Sequence, residues 1–246
     1  KMTKLPDNIF GIDTKEAYRK YQAQPDKKKE EPKPRTVTTS IDGVNLSDYV
    51  YLANHNLYVA KQRTLQNHNW ENAHKELHKQ KARMLTIREF VDFLNLLKSG
   101  NAQDGLQNKI KKEDLQVIYK DIVEVRDPYR AEWLDAAYRN VQDKWFMDYN
   151  HRTVNGTLTP QNQESLEACL REDKTPGISL ENWLSNPTKQ GLPKANVGKG
   201  SLYYWHPKDK RVSWFGANSD GAGLICGEDP AVSDDRLGVR AAREKT

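Results

Sequence analysis

Apolar and polar positions change period several times along this chain, and each change marks an element. Residues 70–81 carry Ala73 and Leu77 on one face and Glu71, Lys75 and Lys79 on the other, with Asn69 in the N-cap position, which predicts an amphipathic helix. Thr86 predicts the start of a second helix, with Glu89 three residues on completing a capping box. Phe90, Val91, Phe93, Leu94 and Leu97 give that helix a broad apolar face, and Gly100 supplies its stop. Ahead of both, residues 36–58 read as paired strands with turns at Asp42-Gly43 and Asn54-His55-Asn56. Residues 115–125 fit either a helix or a strand, and Glu113-Asp114 ahead of them favours helix. Asp127-Pro128 opens a further predicted helix, or an extended capping segment, containing Trp133, Leu134 and Tyr138. Residues 144–149 and 151–158 read as a strand pair around Asn155-Gly156. Residues 160–170 are helical in pattern, 178–184 read as a short capped turn or helix, and 186–200 as a loop.

The end of the chain has the most distinctive pattern. Residues 202–205 and 211–215 are aromatic and β-branched, and the segment between them holds Pro207, Asp209 and two Lys, which predicts a hairpin with a solvated turn. From Gly216 to Leu237 the pattern lapses: Gly216, Gly221, Gly223 and Gly227 sit among small and polar residues, so a long surface loop is expected. Residues 237–242 then restore a short strand. A loose segment held between strands is a frequent seat of binding residues. It also lacks Lys, Gln, Met and Trp, and Glu228 is its only Glu, although the chain as a whole is rich in Lys.

Composition adds limits. The chain has 246 residues, 36% hydrophobic and 30% charged, which suffices for one large domain while leaving part of the sequence solvated. At the N-terminus, residues 14–22 predict one short helix with Ala17, Tyr18 and Tyr21 on one side, and the Lys/Glu/Pro run at 25–34 predicts a linker or exposed arm. The formal net charge is +5, but Lys and Arg are interleaved with acids, which is weak support for a nucleic-acid partner, and no specific nucleic acid is expected. No apolar run has membrane-spanning length and residues 1–10 lack a signal-peptide core, so a soluble chain, intracellular or released by another route, is expected. Cys169 and Cys226 are too few for a disulfide framework; buried free thiols are expected, with a single bridge as the alternative. His74 and His78 stand at i and i+4 on the first predicted helix, a metal-compatible spacing. Without a third ligand at useful spacing they read as two exposed histidines, and no cofactor or metal is expected.

Two stretches resemble a known arrangement. Arg83-Met84-Leu85-Thr86-Ile87-Arg88-Glu89-Phe90 is similar to the helix junction of the formylglycine-generating-enzyme branch of C-type lectin folds, and Leu237-Gly238-Val239-Arg240 is similar to the strand that closes that fold. Within it, Val212-Ser213-Trp214-Phe215-Gly216-Ala217, Ser219, Ala222, Leu224, Cys226, Pro230 and residues 237–240 resemble the variable proteins of diversity-generating retroelements, in particular the archaeal, nanoarchaeal-type group. In that family an error-prone reverse transcriptase replaces adenines, chiefly in Asn codons, which never yields Lys, Gln, Met, Trp or Glu. The missing residue types in 216–237 are what that process leaves behind, and Glu228 departs from the rule.

The resemblance implies an α+β, C-type lectin fold with two helices flanking a small antiparallel sheet. It also implies an N-terminal extension at 1–35, a domain at 36–246, a helical or loop insertion at about 101–197 and a variable region at about 198–242. Carried over by position, the diversified set is Asn218, Asp220, Gly221, Gly223, Ile225, Gly227, Glu228, Asp229, Ala231, Val232, Ser233, Asp234 and Asp235. Trp214, Phe215, Leu224, Cys226, Leu237 and Val239 would be the fixed scaffold, because a position that tolerates most side chains cannot sit in the core. The implied function is a non-catalytic binding module for a protein or cell-surface ligand. Two alternatives are an oxidase relative, which needs a C-terminal cysteine pair where only Cys226 stands, and a nucleic-acid-binding protein. A calcium-dependent lectin is disfavoured by the absence of its Glu-Pro-Asn or Gln-Pro-Asp and Trp-Asn-Asp signatures.

Overall fold

A computed structural model describes residues 8–9, 12–13, 40–41, 43–166 and 168–245. The helix expected at 14–22 and the linker at 25–34 lie outside the described residues. Contacts divide the chain into two units, Lys1–Val37 and Thr38–Thr246. In the first, β1 (Asn8–Ile9) pairs antiparallel with β2 (Ile12–Asp13).

The second unit opens with a short hairpin of β3 (Ser40–Ile41) and β4 (Val44–Asn45). Next come β5 (Tyr49–Leu52) and β6 (Leu57–Ala60), joined through Asn56 in the left-handed region, where Asn is tolerated. The last strand of the chain, β17 (Ala242–Glu244), completes this three-stranded sheet on β6.

Two capped helices follow β6. In Trp70–Lys79 the Asn69 carboxamide accepts the Asn72 N–H at 2.9 Å. In Ile87–Ser99 the Thr86–Glu89 capping box is fully formed and Gly100 ends the helix at φ +67°. A third helix, Lys112–Val123, takes the first of the two readings open to residues 115–125.

The centre of the unit is a mixed sheet of eight strands, and its longest member is β7 (Arg130–Val141). On one side of β7 lie β8 (Lys144–Tyr149) and then β11 (Asn162–Ser165). The hairpin β9 (Arg152–Val154) to β10 (Thr157–Thr159) projects between those two in sequence, turning at Asn155-Gly156. On the other side of β7 the order is β14 (Val212–Ala217), β15 (Ala222–Glu228), β13 (Leu202–Trp205) and β12 (Lys174–Ile178). Between β12 and β13 runs the fourth helix, Leu180–Ser185. Finally β16 (Leu237–Val239) pairs parallel with the start of β7.

This architecture overturns the expected C-type lectin arrangement: strand dominates, and the main sheet is large and mixed, not a small antiparallel one between two helices. The expected insertion supplies the central strand, so it is not a helical or loop appendage. Residues 130–141 read as a helix because Ala, Glu, Asp and Leu favour one, and because a strand covered on both faces shows no alternation; even Arg130, Glu132 and Asp135 are buried. Residues 162–165 are likewise strand, held by pairing with β8, not helix. The expected hairpin of 202–205 with 211–215 does not form, because β15 lies between these strands, parallel to β13 and antiparallel to β14. Residues 222–228 of the expected loop at 216–237 therefore form an internal strand. Its backbone donors and acceptors find partners on both sides, which offsets its lack of large side chains.

One core packs the Ile87–Ser99 helix against Leu134, Ala136, Tyr204, Phe215, Leu224 and Cys226. A second gathers Trp70, Ala73, Leu77, Trp133, Val212, Leu237 and Val239. Glu132 ties β7 to the chain end, accepting hydrogen bonds from Arg240 Nε and Arg130 Nη1, each at 2.9 Å. Among the described residues no helix is long and apolar enough to cross a membrane.

Candidate functional site

The face of the sheet opposite the first core carries a groove of about 610 Å³. Alternation builds it. Along β15, Leu224 and Cys226 point into the core and Ala222 packs against it, whereas Gly223, Ile225 and Gly227 line the groove. Along β13 the same period buries Leu202 and Tyr204 and leaves Tyr203 and Trp205 half-exposed on the groove side, their rings stacked at 5.7 Å. On β14 Phe215 goes to the core, against Phe90 and Trp183, and Trp214 goes to the groove. Tyr129 closes one side, its ring 6.3 Å from that of Trp214. Four aromatic rings thus surround a strip of glycines, and Lys208, Asn218, Asp220 and Glu228 supply the polar positions.

The rings are held from behind. Trp214 Nε1 donates to Glu228 Oε2 at 2.8 Å, and the other oxygen of Glu228 accepts the Asp229 N–H. Tyr129 packs beneath the Arg236 guanidinium at 4.3 Å, while Arg236 and Asp234 form a two-point ion pair. Burial and the hydrogen bond to Asp234 push the Tyr129 phenol up to about 12, so it stays a neutral hydroxyl. Gly216 has no room for a side chain: a Cβ there would stand 2.4 Å from Trp214 Cζ3 and 2.8 Å from the Arg130 carbonyl oxygen. Gly227 is different, since its nearest neighbour would be the flexible Lys208 chain at 3.0 Å.

The residues predicted to vary fall into two groups. Asn218, Asp220, Gly221, Gly223, Ile225, Gly227 and Glu228 all line the groove. Asp229, Ala231, Val232, Ser233, Asp234 and Asp235 lie outside it, on the connection from β15 to β16. Several of these side chains are committed to local structure. The Asn218 carboxamide accepts the Asp220 and Gly221 N–H groups in the β14–β15 turn, and Asp229 accepts the Ala231 N–H and pairs with Arg211. Asp234 is bound by Arg236. Of the predicted scaffold, Phe215, Leu224, Cys226, Leu237 and Val239 are buried, whereas Trp214 is half-buried and forms part of the groove wall. Sequence reasoning missed Tyr129, Tyr203, Trp205 and Lys208. The period-2 alternation of Leu202-Tyr203-Tyr204-Trp205 was a usable signal for two of them, while Tyr129 comes from a segment remote in sequence.

Cys169 and Cys226 are both free and buried, and burial pushes their thiols up to about 11 and about 12, respectively. Neither has the exposed, lowered-pKa surroundings of a reactive thiol.

A second cluster lies elsewhere. His74, expected on the surface, is fully buried, with Asp135 and His151 beside it and no exposed atoms to speak of on any of the three. His151 Nδ1 stands 2.5 Å from Asp135 Oδ1, and the His151 backbone N–H donates to Asp135 Oδ2 at 3.0 Å. Burial drives His74 down to about 4, against the opposing pull of Asp135, so its imidazole is neutral.

No protein-family model, curated protein or solved structure matches this chain. The functional reading therefore rests on geometry and on the sequence pattern.

Proposed function

We propose that this chain is the variable protein of a diversity-generating retroelement, a binding module that takes its ligand in the groove between Tyr129, Tyr203, Trp205 and Trp214. The observation that carries this reading is the alternation along β15. The side chains that cannot change without opening a cavity, Leu224 and Cys226, face the core, and the intervening Gly223, Ile225 and Gly227 face the groove, where a side chain on Gly223 would lie against Tyr203 and Trp205. Those three positions belong to the set carried over by position from the resemblance, and the one exception to the codon rule, Glu228, has a fixed task in holding Trp214. The aromatic walls suit the work, because Tyr and Trp offer large, rigid contact area at low entropic cost whatever the neighbouring residues become. Ala231, Val232, Ser233 and Asp235, exposed on the following connection, extend the surface. The ligand class is a protein or other cell-surface molecule, as the resemblance implies.

The test is genomic. The coding DNA should be accompanied by a near-copy of its own 3′ end, differing mainly at adenines that fall in the codons for Asp220, Gly223, Ile225 and Gly227, beside a reverse-transcriptase gene. A locus without that repeat, or with differences concentrated in the codons for Leu224 and Cys226, refutes the proposal.

A further inference from the structure

We propose that His74, Asp135 and His151 form a structural site for a divalent transition-metal ion of the zinc class. Three elements meet there: the Trp70–Lys79 helix brings His74, the middle of β7 brings Asp135, and the residues after β8 bring His151. One donor atom from each lies within 4.8 Å of the others.

The observation that points to a ligand is the state of His74. It is completely buried, and neither ring nitrogen has a hydrogen-bond partner. Buried polar groups are nearly always paired, so an orphaned imidazole needs an explanation. Its Nε2 stands 3.6 Å from Asp135 Oδ1, too long for a hydrogen bond. It is close to the ~3.3 Å that separates two donors on a tetrahedral ion with metal–ligand bonds of about 2.0–2.1 Å. His151 Nδ1, 2.5 Å from Asp135 Oδ1, needs to part from it by only about 0.8 Å to become the third ligand, as the neutral tautomer that carries its ring proton on Nε2.

Several further features fit. The β7–β14 register shifts between Val212 and Ser213, and this bulge sends the Asp135 N–H to the Leu85 carbonyl at 2.7 Å, out of the ladder. Bulges commonly re-aim side chains in this way beside functional sites. His78 stands one turn along the helix, its ring centroid 5.9 Å from that of His74. Its Nδ1 is fixed by Thr153 Oγ1 at 2.7 Å, and its Nε2 is buried, so a fourth nitrogen donor is close at hand. Trp70 packs nearly at right angles against both His74 and His151, which dries the site and holds the rings. His151 also lines a hollow of about 370 Å³ with Trp70, Thr157 and Leu158, which gives an ion a way in. Two imidazoles and one carboxylate select zinc or its first-row neighbours over calcium and magnesium, which favour all-oxygen sites.

The experiment uses the whole chain, stripped with a chelator and then titrated with zinc, magnesium or calcium while calorimetry and thermal unfolding are followed. The expected result is one zinc per chain, a rise in Tm of several degrees at saturation, and no response to magnesium or calcium. Cobalt should give the intense visible absorption of a tetrahedral site. Asp135→Asn and His151→Gln, if folded by circular dichroism, should each bind zinc at least about tenfold more weakly. A folded wild-type chain that takes up no zinc overturns the proposal, as does zinc bound with unchanged affinity by both variants.

Discussion

At the scale of single residues, two glycines of the groove make opposite predictions. Gly216→Ala drives a methyl group into Trp214 and the Arg130 carbonyl, so chemical denaturation should show a loss of about 1–3 kcal/mol. Gly227→Ala meets only the Lys208 side chain, which can swing away, and its unfolding midpoint should stay close to wild type. Glu132 makes a pH prediction. Burial alone would raise its carboxyl, but the Arg240 and Arg130 guanidinium groups outweigh burial and hold it at about 2, below the ordinary 4.5. A depressed folded-state value stabilises the fold above pH 4.5, and that contribution disappears as pH falls toward 2, in all on the order of a few kcal/mol. Unfolding free energy measured across that window should fall steeply for wild type and less steeply for Glu132→Gln. Equal slopes would show that the Arg240 and Arg130 contacts do not set the titration.

At the scale of elements, the helices were legible and the central strands were not. The caps Asn69, Thr86 with Glu89, and Gly100 act through neighbours three or four residues away, so their signal is local and survives in the sequence. The identity of β7 depends on what covers it. Its Glu132 is answered by Arg240 and its Asp135 by His151, partners that no window of sequence contains. The strand β15 escaped for another reason. Its groove face is made of Gly223, Ile225 and Gly227, and two glycines in an alternating pattern look like a loop until strands on either side supply their hydrogen bonds. The same local view placed His74 on the surface, because the carboxylate and third imidazole beside it lie 61 and 77 residues further on (135 − 74 and 151 − 74). Within β15, Leu224→Ala should cost about 2–5 kcal/mol, since Leu224 is fully buried beside Phe215 and Cys226. Ile225→Ser, on the groove side, should cost a fraction of that in the same denaturation assay.

At the scale of the whole molecule, the second unit divides its tasks between the two faces of one sheet. The Ile87–Ser99 helix covers the first face and buries Phe215, Leu224 and Cys226. The other face is open over β13, β14 and β15, and two of its aromatic walls are held by polar neighbours, Trp214 by Glu228 at the groove's edge and Tyr129 by Arg236 and Asp234 outside it. The candidate site was partly legible: Gly223, Ile225 and Gly227, which line the groove, were among the positions that the resemblance marked, whereas the walls were not. Tyr129 and the β13 aromatics reach the groove through a strand order in which β15 separates the expected hairpin. The most direct measurement compares two libraries of the full chain on a display surface, with protease resistance as the readout of folding. One randomises Asp220, Gly223, Ile225 and Gly227, the other Ala222, Leu224 and Cys226. The account predicts that a large share of the first library stays folded and that almost none of the second does; equal loss of folding in the two would contradict it.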